Sequence, residues 1–452
     1  MKQELKLFLK GILVMLLLAM KSLPCNAIGA YGAVDFNRLT NRNGLSNSQV
    51  NAIFKDQKGY VWFGTQSGLD RFDGFRMKAF LYDDGNPNSI PNNSVDEIQQ
   101  AIDGSLWIHT GVGYCIYQYD KERFERKPEE WLKTIGVDGP PYKLLIDSKK
   151  NMWMSVYGQG IYFVDVKNMT AFLFPFSKTK SRSSLPDYQV SCIREDNGQA
   201  VVTFVNGVIC RLDGYAQQVV WMDRFILNNR LSTDHSVFTF VDSKNNYWVN
   251  TNLGIYVYHK NLKKWFVGAK GYLATFGFDV PAYPGRKVII RDMARDKQGH
   301  MWIATDHNGL IYLDYAKKIC RQFMYNPNDK GSISDNSLPE LYVDDNDALW
   351  VGTYKNGVNY YSASSTKFYT IPLGDVCTIT QDLNGNLWCG TNDAGIVAYN
   401  PTTGQSSRFY GAKTGLGSEV VVSSTTMKDG TLYFGTFNGG LARLSHGVWK
   451  SY

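Results

Sequence analysis

Several residue types that usually carry chemistry are scarce in this sequence of 452 residues, which holds 6 histidines and 7 cysteines. The histidines (His109, His235, His259, His300, His307 and His446) are scattered. Only His300 and His307 lie close together, and they flank a strand at opposite ends, which excludes a shared metal. No Ser-His-Asp arrangement and no Gly-x-Ser-x-Gly elbow is present. The recurring Asp-x-x-Gly turns lack the alternate oxygen ligands and closing Glu of a calcium loop. No basic cluster is interleaved with aromatics, so no nucleic-acid role is expected. Helical periodicity is absent outside the N-terminus. The expectation is therefore a chain without cofactor, metal or catalytic residues.

Long apolar runs are lacking too. The longest, Gly11 to Met20, is too short to cross a bilayer. It follows Lys2, Lys6 and Lys10 and precedes Cys25-Asn26-Ala27, so residues 1–27 read as a secretory signal. The rival reading is lipid modification of Cys25, to which Ser22-Leu23-Pro24 is a poor match. Export places the mature chain, starting near Ile28, in the periplasm. Removing 1–27 takes away four lysines and one glutamate, so the formal charge of +7 falls to +4. The six remaining cysteines do not form a disulfide framework. Cys192 and Cys210 lie on non-adjacent strands, Cys377 and Cys389 on adjacent ones, and buried thiols are the expected state.

What the sequence does have is a repeat. Asp56 to Thr65 reads as a turn and a strand: the Asp56 carboxylate caps the turn, Gly59 supplies positive φ, and Tyr60 to Thr65 alternates. The pattern returns with anchors at Trp62, Trp107, Trp153, Val201, Trp248, Trp302, Trp350, Trp388 and Tyr433. The mean period is about 46 residues, near that of a propeller blade. Each copy follows a short apolar strand and precedes an aromatic one, giving four antiparallel strands. One such sheet buries too little to stand alone, so neighbours must stack. The fold class is all-β, a propeller of nine four-stranded blades.

The run Asn43 to Asp56, continuing through Trp62-Phe63-Gly64-Thr65 to Gly74, resembles the two-component regulator propeller repeat. Asn86-Pro87-Asn88-Ser89-Ile90 and Asn326-Pro327-Asn328-Asp329-Lys330 resemble its linkers. The resemblance implies a periplasmic sensor of a hybrid two-component system that detects oligosaccharides and switches on polysaccharide-use genes. In that family two seven-bladed propellers precede a β-sandwich, a membrane helix, a histidine kinase, a receiver and a DNA-binding domain. Here none of these follows Tyr452, so the chain reads as an N-terminal fragment or a truncated product, reaching a membrane only through missing downstream segments. A homodimer is compatible with that reading.

Nine blades exceed the usual ring of about 4–8. Asp35 to Leu39 looks like an outer strand with no blade before it, able to complete the seventh copy. The shortest anchor spacing, Trp350 to Trp388, falls at the join. The expected domains are a seven-bladed propeller over 34–365 and the first two blades of a second over 366–452. A single ring of eight or nine blades is the alternative.

Loops between second and third strands emerge on the face that also carries the blade-to-blade loops. On them lie Gln66, Tyr157, Asp306, His307, Asn308, Tyr354, Lys355 and Asn356, the expected ligand-binding set. Aromatic faces with amide and carboxylate partners suit a sugar. Two further function classes compete with a sensor: a stand-alone scaffold binding protein or glycan, and a glycosidase using carboxylates such as Asp306, Asp393 or Asp83-Asp84.

Overall fold

The computed structural model describes residues 34–452 except 178–180, 187–188, 235, 281–287, 363–370, 372 and 402. The signal segment 1–27 lies outside the described residues. The rest forms nine four-stranded antiparallel sheets. The first shows how sequence makes them. Val61–Thr65, rich in β-branched and aromatic residues, is buried at all five positions, whereas in the outer Met77–Phe80 only the end residues are half-buried and the middle two are exposed. Gly59, at φ 89°, turns the chain into Val61–Thr65. Gly64 is needed for close approach: a Cβ there would stand 2.6 Å from Val95 on the next sheet.

Seven sheets form one compact unit, Asp35–Thr366. Their innermost strands begin at Val50, Val95, Pro141, Val190, Phe238, Ile290 and Glu340, and each contacts the next. Glu340–Val343 contacts Val50–Lys55 in turn, so the ring closes at seven and not at eight or nine. Asn37–Leu39 pairs antiparallel with Val358–Tyr361, supplying the seventh sheet's outer strand. Between sheets lie continuous apolar layers, such as Trp62, Leu69, Ile98, Ile108 and Tyr117 between the first and second.

The tryptophan anchors hold these layers. Trp62, Trp107, Trp153 and Trp248 are fully buried, and Trp302, Trp350 and Trp388 nearly so. Val201 fills the same register in the fourth sheet and is buried; Tyr433 in the ninth is half-buried. Six of the seven tryptophans are tied to the turn aspartate six residues earlier. Asp56 accepts the Lys58 and Tyr60 amides on Oδ1, at 2.9 and 3.0 Å, and the Trp62 indole N–H on Oδ2 at 2.6 Å. The same indole bond recurs at Asp147, Asp242, Asp296, Asp344 and Asp382. The repeated aspartate is thus more than turn chemistry: it fixes the large side chain beside it. In the fourth sheet, where Val201 offers no donor, Asp196 instead takes the Tyr247 hydroxyl and the Lys260 ammonium, the latter at 2.6 Å.

Two seven-residue helices, Pro128–Thr134 and Ala269–Thr275, occupy blade-to-blade connections that showed no helical period. They are too short for one, yet each buries two residues and feeds an inter-sheet layer: Leu132 is fully buried and Trp131 meets Trp107 edge-on at 5.9 Å. The other compact unit holds Lys367–Tyr452 and two sheets, with Trp388, Ile396, Val421, Leu432 and Phe434 between them. The cysteines Cys115, Cys192, Cys210, Cys320, Cys377 and Cys389 are free thiols; Cys377 is exposed and Cys389 faces Ile379, so that hairpin carries no bridge.

Candidate functional site on the loop face of the ring

Five of the seven innermost strands of the ring carry a register shift at their second residue. The bulged residues are Asn51, Asp96, Tyr142, Ser191 and Arg291. A bulge places two residues opposite one, and so re-aims a side chain. Each occurs at the strand's N-terminal end, which is the end where the second-to-third loops emerge. The result is a rim of polar and aromatic side chains around the channel mouth.

Two rim carboxylates, Asp96 and Asp306, are held by close partners. Asp96 Oδ1 meets His109 Nδ1 at 2.5 Å; the His109 ring packs 4.6 Å from Tyr114, whose hydroxyl donates to Glu97 at 2.6 Å. Burial, with the Glu97 charge beside it, pushes the Tyr114 phenol far up, so it stays a donor. On the sixth sheet Arg291 Nη2 donates to Asp306 Oδ2 at 2.6 Å, and His307 Nδ1 lies 2.7 Å from Oδ1. Burial opposes the Asp306 charge, but the Arg291 hydrogen bond and charge, with Ser337 and His307, together outweigh it and hold the carboxyl below its ordinary range. His307 is 57% exposed on its side chain and sits at φ 68°, the left-handed region, held by its amide's bond to Ser337 Oγ.

The structure brings some of the expected residues together and leaves others apart. Asp306 pairs with Arg291 and His307, and Ser337 links this group to Tyr354, whose N–H donates to the Ser337 carbonyl at 3.3 Å. Asn308 is buried: its amide reaches the Asp306 carbonyl at 3.4 Å and its carbonyl accepts from Gln322 at 2.9 Å, so it shapes the loop and does not present to a ligand. Asn356 also binds its own surroundings, donating to the Ser334 carbonyl at 2.9 Å. Lys355 is exposed. Tyr157, on the third sheet, is 70% exposed with its ring 6.4 Å from bulged Tyr142. Gln66, on the first sheet, is exposed.

Sequence reasoning missed Arg291, Asp96 and His109. A signal existed: the innermost strands open with Val or Ile followed by a polar residue, as in Val50-Asn51, Val95-Asp96, Val190-Ser191 and Ile290-Arg291. Below the rim, on the ring axis, lies a cavity of about 420 Å³ reached past Asp96, His109 and Ser191. The arrangement offers a mouth with charged, hydroxyl and aromatic groups above a polar shaft.

Residues 44–67 and 284–307 match the two-component regulator propeller model. Histidine kinase P4 of Formosa agariphila is 25% identical over 357 residues, covering 72% of this chain and 24% of that protein. The extracellular domain of the hybrid two-component system BT3049 from B. thetaiotaomicron is 22% identical with a TM-score of 0.67, over 91% of this chain and 53% of that one. The extracellular domain of BT4673 from the same organism is 18% identical, TM-score 0.52, over 93% and 54%. The chain thus spans about half of those domains and a quarter of the curated relative. Among the described residues no helix is long and apolar enough to cross a membrane. Two of the chain's repeats thus match the two-component regulator propeller model, on the fold shared with the extracellular domains of hybrid two-component systems.

Proposed function

We propose that the ring is the ligand-sensing part of a hybrid two-component signalling protein, exported to the periplasm through 1–27, and that it recognises an oligosaccharide at the channel mouth. The observation that carries this is the bulged rim: five inner strands carry a bulged residue at the mouth, where the Tyr142 and Tyr157 rings lie 6.4 Å apart and Tyr354 bonds Ser337 beside the Arg291–Asp306 pair. Sugars stack their C–H faces on aromatic rings while their hydroxyls bond to amides, carboxylates and guanidinium groups. Signal output would belong to kinase segments such as the name of the F. agariphila relative implies. The two-sheet unit is, in this reading, the opening of a second propeller.

Calorimetry against a panel of oligosaccharides tests the site, with Tyr157→Ala, His307→Ala and Tyr354→Ala. A glycan that binds the wild-type chain and loses affinity in these variants supports the reading. Equal binding by all three moves the site elsewhere. N-terminal sequencing of the exported protein tests the location; an intact Met1 in the cytoplasm would refute it.

A further inference from the structure

The axial cavity below the rim is lined by Glu97, Lys143, Arg194, Phe238, Asp292 and Glu340, among others. Arg194 packs its guanidinium 5.5 Å over the Phe240 ring and donates to its neighbour's carbonyl, Ile193 O, at 3.2 Å. It feels the charges of Asp292, Glu97 and Glu340, yet among the described residues none of them reaches ion-pair distance from it. The carboxylates are latched to the wall instead. Asp292 accepts the Leu341 N–H at 3.0 Å and Glu97 the Tyr114 hydroxyl at 2.6 Å, while Glu340 lies beside the Ile53 N–H. The Asp292 latch joins the sixth sheet to the seventh, satisfying an amide on the edge of the neighbouring inner strand.

Both signs of charge therefore face one cavity without neutralising each other. A free cation entering it would meet Arg194 and Lys143, and a free anion would meet Glu97 and Asp292, while the Glu340 carboxyl, favoured in its protonated form by burial and the Asp292 charge, can donate as well as accept. An apolar group would strip water from all of them. A hydroxyl suits both signs, because it donates to a carboxylate and accepts from a guanidinium. The four groups sit on four different sheets: Glu97 on the second, Arg194 on the fourth, Asp292 on the sixth and Glu340 on the seventh. A matching ligand must carry hydroxyls around its whole perimeter. An α-amino acid, with its two charges on one carbon, does not.

We propose that the shaft takes one neutral polyhydroxylated ring, the terminal sugar of the bound chain, held between Arg194 and the Asp292 and Glu340 carboxyl groups. This rests on the saccharide reading above and adds where the chain end inserts and that the inserted unit is uncharged.

The test titrates wild-type, Arg194→Gln, Glu340→Gln and Tyr157→Ala proteins with neutral di- to tetrasaccharides, free α-amino acids, calcium chloride and inorganic phosphate. The expected result is a neutral saccharide whose affinity falls about tenfold or more in both channel variants. Because the variants could misfold, hydrogen exchange on the wild type supplies a second readout: the saccharide should protect amides of Ile290–Arg295 and Glu340–Val343. A saccharide bound equally by both channel variants, without that protection, overturns the insertion and leaves the mouth reading standing. Binding only an amino acid or an ion overturns the ligand class. No saccharide binding at all ends the saccharide reading and this inference with it.

Discussion

The closed ring and the two-sheet unit obey the same local rules and differ in what lies beside them. Both have four-stranded sheets, bulged inner strands and an aspartate holding an indole. Ile53 in the ring and Ile379 in the two-sheet unit sit at the same register, opposite Phe63 and Cys389. Yet Ile53 is 3% exposed and Ile379 is 61% exposed. In the ring the seventh sheet covers Ile53, together with Val50, Phe63 and Trp350. Within its own unit the eighth sheet has no predecessor. A blade's strands are specified locally, but its stability is lent by the sheet before and the sheet after.

The largest effect should come from emptying an inter-sheet layer. Trp62→Ala in the ring should cost about 3–5 kcal/mol, measured by urea denaturation. Removing the acceptor comes next. Asp56→Ala leaves the Trp62 indole and the Tyr119 hydroxyl from the adjacent sheet without their shared partner, and should cost about 2–4 kcal/mol. The comparison itself is tested by a matched pair. Ile53→Ala should cost about 2–3 kcal/mol and Ile379→Ala within about 0.5 kcal/mol. If both cost the same, the open face of the eighth sheet is covered in solution and the contrast fails.

The smallest effect is a difference in sign with pH. Burial, then the Asp292 charge, pushes Glu340 in the ring well above its ordinary 4.5. The folded ring then holds this proton where the unfolded chain has released it. Its contribution therefore strengthens folding as pH falls toward 4.5, and is lost as pH rises through that window. In the two-sheet unit burial works against the Asp382 charge. The Trp388 indole and Asn386 outweigh it, holding the carboxyl below its ordinary 3.8. That contribution is present above 3.8 and lost as pH falls below it. Hydrogen exchange across the pH range, with Glu340→Gln and Asp382→Asn, should abolish each trend separately; loss of both in one variant would contradict the assignment.

The repeat, the strand order and the Trp layers were legible because each rests on local spacing. Asp and Trp six residues apart were visible as well, though only coordinates show one oxygen holding turn amides while the other holds the indole. The rim was only faintly legible, in the apolar-polar pairs that open the inner strands. A bulge is a property of pairing, two residues against one, and Asn51 or Arg291 reads in the chain as an ordinary strand residue. Likewise Asn308 looks like any loop amide until the Gln322 side chain is seen bonded to it. The two short helices escaped because seven residues hold too few turns to show a period.

The strand Asn37–Leu39 gives the ring a particular order of assembly. Every hairpin can pair with a neighbour only a few residues away, so six sheets can zip as the chain is made. The seventh needs the first strand back, across nearly the whole length of the ring, and that loop is the slowest to close. Until then the earliest strand waits with open edges, and so do the two inner strands that will meet at the seam. A chain threaded outward from its N-terminus would thus pass through an open arc with two sticky ends, and the window before closure is when it is most exposed to wrong partners.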